Sequence, residues 1–298
     1  AGRFLLSRVF RGSLLCSLKN DPRITRNNTK MLNSTFEAKP LRYILIAAIL
    51  FSLGHQRWAN AAPVHAVSPE AMAREVTIYR DVYGVPHVFG RTDAGAVFGF
   101  AYAQAEDNFW RIEDSYISAI GRAAEVDGEK ALNKDRLNHA LEIPRLAREE
   151  YSRLDTHTRS LCDAYVAGLN YYLKRNPQTK PRLITKFEPW HPLAFIRYNY
   201  YQNGFVFDRA LSFPNIQTAE NERALKENQG SNGWVIAPSK SATGHAMLFI
   251  NPHLPFFGSG QVYEGHVHSD EGWNFTGYTR FGFPFPYVGH NENGGWGS

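Results

Sequence analysis

Cysteine is nearly absent from this 298-residue chain, which has Cys16 and Cys162 and no others. Cys16 falls in a stretch that reads as a removable leader, so the body keeps one thiol and no intramolecular disulfide is available to it. Cys162 sits in the apolar run 161–166 and reads as a small core residue rather than a nucleophile. Long hydrophobic runs are missing too. The most apolar segment, residues 43–53, falls short of the roughly 20 residues that a membrane-spanning helix takes. A basic body is also lacking. The formal charge is +5, but residues 1–61 hold ten Lys/Arg against two Asp/Glu, leaving 23 basic and 26 acidic side chains for the rest. That balance excludes a nucleic-acid footprint on the body, and no nucleic-acid partner is expected. Internal repeats are absent as well.

The basic leader has the parts of an export signal. Met31 opens a short region with Lys39 and Arg42, residues 43–53 form its apolar centre, and Ala59-Asn60-Ala61 is a small-x-small cleavage site. Residues 1–61 are therefore expected to be a leader, with 1–30 as upstream sequence, and the mature chain to start near Ala62. The expected destination is the periplasm or the exterior, with no stable membrane association once the signal is cut. An uncleaved N-terminal anchor is the alternative.

In the body, residues 76–80 alternate as a strand, and 84–89 read as a turn entering a second one. Asp93 suits a helix N-cap for a long helix through Phe98, Phe100, Phe109, Ile112 and Ile117. Helical spacing returns at 141–153 and 158–174, and an aromatic helix follows Trp190 through Tyr201. From Ser231 the period becomes strand-like, with a second apolar strand at 246–250 and a hairpin around Asp270-Glu271-Gly272. Residues 251–256 contain Pro252 and Pro255 and are expected to form a shaped loop.

The junction between these halves is Gly230-Ser231-Asn232-Gly233-Trp234, which follows a charged, amide-rich spacer. A cut between Gly230 and Ser231 would put a hydroxyl nucleophile and a free α-amine on one residue. An α-amine titrates at roughly 7.7–8.0, so it can serve as a base near neutral pH. By itself Gly-Ser-Asn-Gly is also an ordinary turn.

Several ordered blocks in residues 75–298 resemble the penicillin acylase group of N-terminal-nucleophile amidohydrolases, which includes acyl-homoserine-lactone acylases. Residues 80–88 (RDVYGVPHV) resemble the family's opening strand motif, 99–110 (GFAYAQAEDNFW) its first long helix and 121–126 (GRAAEV) the segment after it. Ser231-Asn232-x-Trp234 resembles the start of its second chain, and Asn251-Pro252-His253 and Gly289-His290-Asn291 fall at its downstream spacings.

The resemblance implies an α+β class with an αββα sandwich, a helical first chain followed by antiparallel sheets. It implies a first-chain region at 62–210, a spacer at 211–230 and a second chain from 231 to 298 that is C-terminally truncated. The two chains from one precursor would form a heterodimer. Self-cleavage at Gly230/Ser231 would make Ser231 the nucleophile, with His253 beside it. Leu254, Phe256, Phe257 and Phe207 are candidates for an acyl pocket, plain core packing being the other reading of the aromatics. The expected substrate is a small acylated amide, an acyl-homoserine lactone or a related compound, with a phenylacetyl-type penicillin as the alternative. No cofactor and no metal are expected, although calcium, known in some members of the family, stays open. The oxyanion donors are expected downstream of residue 298, which would leave the fragment inactive alone. A rival reading takes His266 and His268, on one strand face, as ligands of a metal-dependent hydrolase, for which third and fourth ligands are lacking nearby.

Overall fold

The computed structural model describes residues 68–202, 230–254, 256 and 260–297. The leader 1–61, nearly all of the spacer, Phe207 and Phe257 lie outside the described residues. Helix α1 (Pro69–Arg74) leads into an antiparallel hairpin of β1 (Val76–Arg80) and β2 (Pro86–Gly90). Asp81 shapes the turn between them, its Oδ1 accepting the N–H groups of Tyr83 and Val85 at 2.8 and 3.0 Å.

Helix α2 (Asp93–Ala119) is capped by Thr92, whose hydroxyl accepts from the Gly95 N–H at 2.9 Å. The expected cap, Asp93, is instead the first helical residue. The threonine hydroxyl already satisfies the free N–H, so the buried Asp93 carboxylate is left to accept from the Ser269 hydroxyl. Beyond it come α3 (Ala124–Asp127), α4 (Leu132–Ala140), α5 (Ile143–Arg153), α6 (Thr156–Arg175) and α7 (His191–Gln202). Helix α6 is capped by Asp155, which accepts from the Thr158 N–H at 3.0 Å. The core lies where α2 meets α6 and the sheet, filled by Phe98, Phe100, Phe109, Ile112, Tyr116, Tyr165 and Leu169. Cys162 is buried there, and burial pushes its thiol up to about 12, which leaves it inert as a nucleophile.

The second half supplies β3 (Ser231–Ile236), β4 (Met247–Pro252), β5 (Val262–Ser269), β6 (Asn274–Arg280), β7 (Val288–His290) and β8 (Gly295–Trp296). Among the described residues the strands form a six-stranded sheet, in the order β1-β2-β5-β6-β7-β8, and a β3–β4 ribbon. The class is α+β. One expectation needs correcting: the sheets are not wholly antiparallel. Strand β2 pairs with β5 in parallel, from His87↔His266 to Gly90↔Ser269. Every helix named above from α2 on lies between these two strands in sequence, which gives ample chain for the crossover that a parallel pair requires. Both halves therefore share one sheet.

Residues in the family-like blocks, and a glutamate just past one of them, have structural work in this fold. Arg80 in β1 donates to Asp107 Oδ2 at 2.9 Å and Glu106 Oε2 at 2.8 Å in α2. Glu113, fully buried, accepts the backbone N–H groups of Arg182, Leu183 and Ile184 at 2.8–2.9 Å. In the ribbon, Trp234 and Phe249 are cross-strand partners whose rings stack 3.9 Å apart at 7°. Its β4 strand lies close to β8, where a Cβ on Gly295 would stand 2.3 Å from Leu248 Cδ2.

Candidate active site

The β3–β4 ladder positions the junction. Its register runs from Ile236↔Met247 to Ser231↔Pro252, and it continues one step further, with the His253 N–H donating to the Gly230 carbonyl at 2.8 Å. Hydrogen-bonded and non-hydrogen-bonded pairs alternate along an antiparallel ladder. Gly230/His253 is a hydrogen-bonded pair, so Ser231/Pro252 falls at a non-hydrogen-bonded position. A proline there forfeits no ladder bond. The expected loop therefore begins only at His253, because Asn251 and Pro252 belong to β4.

Side chains alternate between the two faces of a strand, which puts Ser231 and Pro252 on one face of the ribbon and Asn232, Asn251 and His253 on the other. His253 is the diagonal neighbour of Asn232 on that face, and the Asn232 amide Nδ2 donates to His253 Nε2 at 2.9 Å. The other ring nitrogen turns to the junction: a Cβ on Gly230 would stand 3.5 Å from His253 Nδ1. Gly230, Ser231, Asn232 and His253 are thus together, and all four are exposed. Leu254 is half-buried and Phe256 is 86% exposed. Two clefts of the described residues lie elsewhere, one between Arg91, His157 and Glu271 and one beside Lys134 and Arg182, and neither includes Ser231 or His253.

The His266/His268 reading meets a different arrangement. The Phe89 ring packs against both, with centroids 5.6 and 5.4 Å away. His266 Nδ1 instead meets His87 Nδ1 at 3.2 Å, and its Nε2 lies 2.9 Å from Asn274 Oδ1. Among the described residues no group of three or more His, Cys, Asp or Glu is placed to hold a metal ion. Sequence reasoning gave Asn232 no role of its own. Its position two residues diagonal from a histidine becomes visible only once the ladder register is known.

A family model described as "Penicillin amidase" matches residues 75–298. The chain is 27% identical over 280 residues to "Penicillin acylase 2 proenzyme" of Pseudomonas sp. (strain SE83), covering 76% of this chain and 36% of that protein. It is 24% identical over 310 residues to "Acyl-homoserine lactone acylase QuiP" of Pseudomonas fluorescens (strain Pf0-1), covering 84% and 38%. With "Acyl-homoserine lactone acylase PvdQ" of Pseudomonas syringae pv. syringae (strain B728a) the identity is 25% over 294 residues, covering 87% and 37%. The chain thus spans well under half the length of these relatives. Among solved structures, "Thermostable Penicillin G acylase from Alcaligenes faecalis in tetragonal form" aligns with a TM-score of 0.39 at 20% identity, over 51% of this chain and 83% of that one.

Proposed function

The chain belongs to the penicillin amidase family, and we propose that it is the precursor of an N-terminal serine amidohydrolase that cuts itself between Gly230 and Ser231. The observation that carries this reading is the position of that peptide bond, at the open end of an exposed ribbon with its carbonyl oxygen already held by the His253 N–H. That N–H lies where negative charge would develop as the Ser231 hydroxyl adds to the Gly230 carbonyl carbon, and a donor so placed stabilises the oxyanion. The step balances internally. A bond forms between Ser231 Oγ and the Gly230 carbonyl carbon, the C–N bond breaks, and the hydroxyl proton ends on the departing nitrogen. Water then hydrolyses the ester, restoring the hydroxyl and freeing the Ser231 amine and the Gly230 carboxylate. The name of one relative, a proenzyme, is in keeping with such processing.

The mature Ser231 would attack the amide of a small acylated substrate, its α-amine taking the proton. No cofactor is needed. Two relatives named as acyl-homoserine lactone acylases favour that substrate class, and the penicillin acylase keeps a phenylacetyl-type side chain as the second reading. The two chains would stay together after the cut, because β2 of the first pairs with β5 of the second and α2 packs on both. Export through the Met31 signal, removal of residues 31–61 and a periplasmic or secreted location belong to the same proposal. Among the described residues no helix is long and apolar enough to cross a membrane.

The test is release of fatty acid from a series of acyl-homoserine lactones, compared with release of phenylacetate from penicillin G by the full-length enzyme. Each further buried methylene contributes about 0.8 kcal/mol, close to a fourfold gain per carbon until the pocket is full. A flat response to chain length with faster cleavage of penicillin G would move the enzyme to the second reading. No hydrolysis of either would remove the acylase assignment.

A further inference from the structure

The ribbon geometry points to Asn232 as a positioning residue for the self-cleavage of the Gly230–Ser231 bond, holding His253 in the tautomer that turns an N–H toward the junction. This rests on the cleavage reading above. An amide nitrogen can only donate, so His253 Nε2, at 2.9 Å from Asn232 Nδ2, is the acceptor. A neutral imidazole with a lone pair at Nε2 carries its proton on Nδ1. Nδ1 is the nitrogen on the Gly230 side, where a Cβ added to that glycine would touch it at 3.5 Å. His253 therefore presents two donors to the junction, its main-chain N–H on the Gly230 oxygen at 2.8 Å and its ring N–H beside the same residue.

The faces of the ribbon define the division of labour. Ser231 lies on one face and the His253 ring on the other. The ring is thus not set to remove the hydroxyl proton. It lies beside Gly230 on the opposite face of the ribbon, where a donor N–H favours the negative charge that builds on that residue as the hydroxyl adds. Turned the other way, the same ring would offer a lone pair to that developing charge and oppose it. Asn232 decides between the two, and as Ser231's neighbour it is carried on the same strand as the bond to be cut.

The test uses the full-length precursor and two substitutions. Asn232→Asp keeps the shape but offers only acceptors. At alkaline pH, with the ring neutral, it should put the proton on Nε2 and leave a lone pair at Nδ1, and both the cleavage assay and the spectra are run there. Asn232→Ala removes the contact. Both should slow self-cleavage about tenfold or more, up to the 10²–10³ that loss of a directly bonded oxyanion donor costs. Circular dichroism and thermal melting separate slow cleavage from misfolding. Nitrogen-15 spectra of ring-labelled histidine, taken on uncut Ser231→Ala protein, should show His253 protonated at Nδ1, and at Nε2 once Asn232→Asp is added. Cleavage of a folded Asn232→Asp precursor at the parent rate, or an Nε2-protonated ring in the parent, would overturn the inference while leaving the cleavage reading intact. A parent protein that is never cut at 230/231 removes both.

Discussion

The Tyr263 hydroxyl donates to Asp107 Oδ2 at 2.6 Å, joining a strand that follows the proposed cut to a helix that precedes it. Arg80 donates to the same carboxylate oxygen at 2.9 Å, so one aspartate receives a phenol from the second chain and a guanidinium from the first. After cleavage this contact would be intermolecular. Tyr263→Phe should cost about 1.5–3 kcal/mol, the usual range for a hydrogen bond to a charged group. The expected result is earlier separation of the two chains in urea, followed by size-exclusion chromatography of cleaved protein. An unchanged midpoint would show that the link contributes nothing.

Gly168 in α6 lies directly against α2. A Cβ there would stand 2.4 Å from the Phe98 carbonyl oxygen and 2.9 Å from Ala101 Cβ, and a backbone oxygen cannot swing away. Gly168→Ala should therefore lower stability by about 1–3 kcal/mol, despite alanine's better helix propensity. Thermal melting checks this. A rise in the midpoint would mean that the two helices have room to separate.

His191 gives the fold an acid limit. Burial lowers its pKa from 6.5 to about 4, and its Nδ1 accepts the Glu188 N–H at 3.2 Å. Below pH 6.5 the unfolded chain takes up a proton that the native chain refuses. Stability present above that pH is then lost as pH falls toward 4, by an amount on the order of 3 kcal/mol. His191→Asn keeps an acceptor without the titration. Urea midpoints measured between pH 7 and 4 should fall more steeply for the parent than for the variant, and parallel slopes would contradict the assignment.

Much of this was legible in the sequence, and the failures have physical reasons. The helices announced themselves through apolar spacing, as in α2, where Phe98, Phe109 and Ile112 are all buried. The hairpin at Asp270-Glu271-Gly272 was readable from alternation on either side, and its strands pair His268↔Asn274. Asp93 looks like a cap in the sequence but is not one, because Thr92 does the same work and Ser269, far away in sequence, claims the carboxylate. Two prolines at 252 and 255 point to a loop over 251–256, because composition cannot say whether a proline falls on a bonded or non-bonded pair. That depends on register, as does the parallel pairing of β2 with β5. At the site, Ser231 and His253 could be picked out by motif and spacing. The meeting of Asn232 with His253 could not, because it depends on the two strands being aligned.

The most direct measurement is the N-terminal sequence of the processed protein, alongside Ser231→Ala. Expressed in full length, the parent should yield a chain beginning Ser-Asn-Gly-Trp, and the piece first released from it should end at Gly230, before any loss of the spacer 211–230. The Ser231→Ala precursor should stay whole under the same conditions, shown as a single mass by intact-protein mass spectrometry. Cleavage of the alanine variant at 230/231, or a parent whose second chain begins at a residue other than Ser231, would contradict the account.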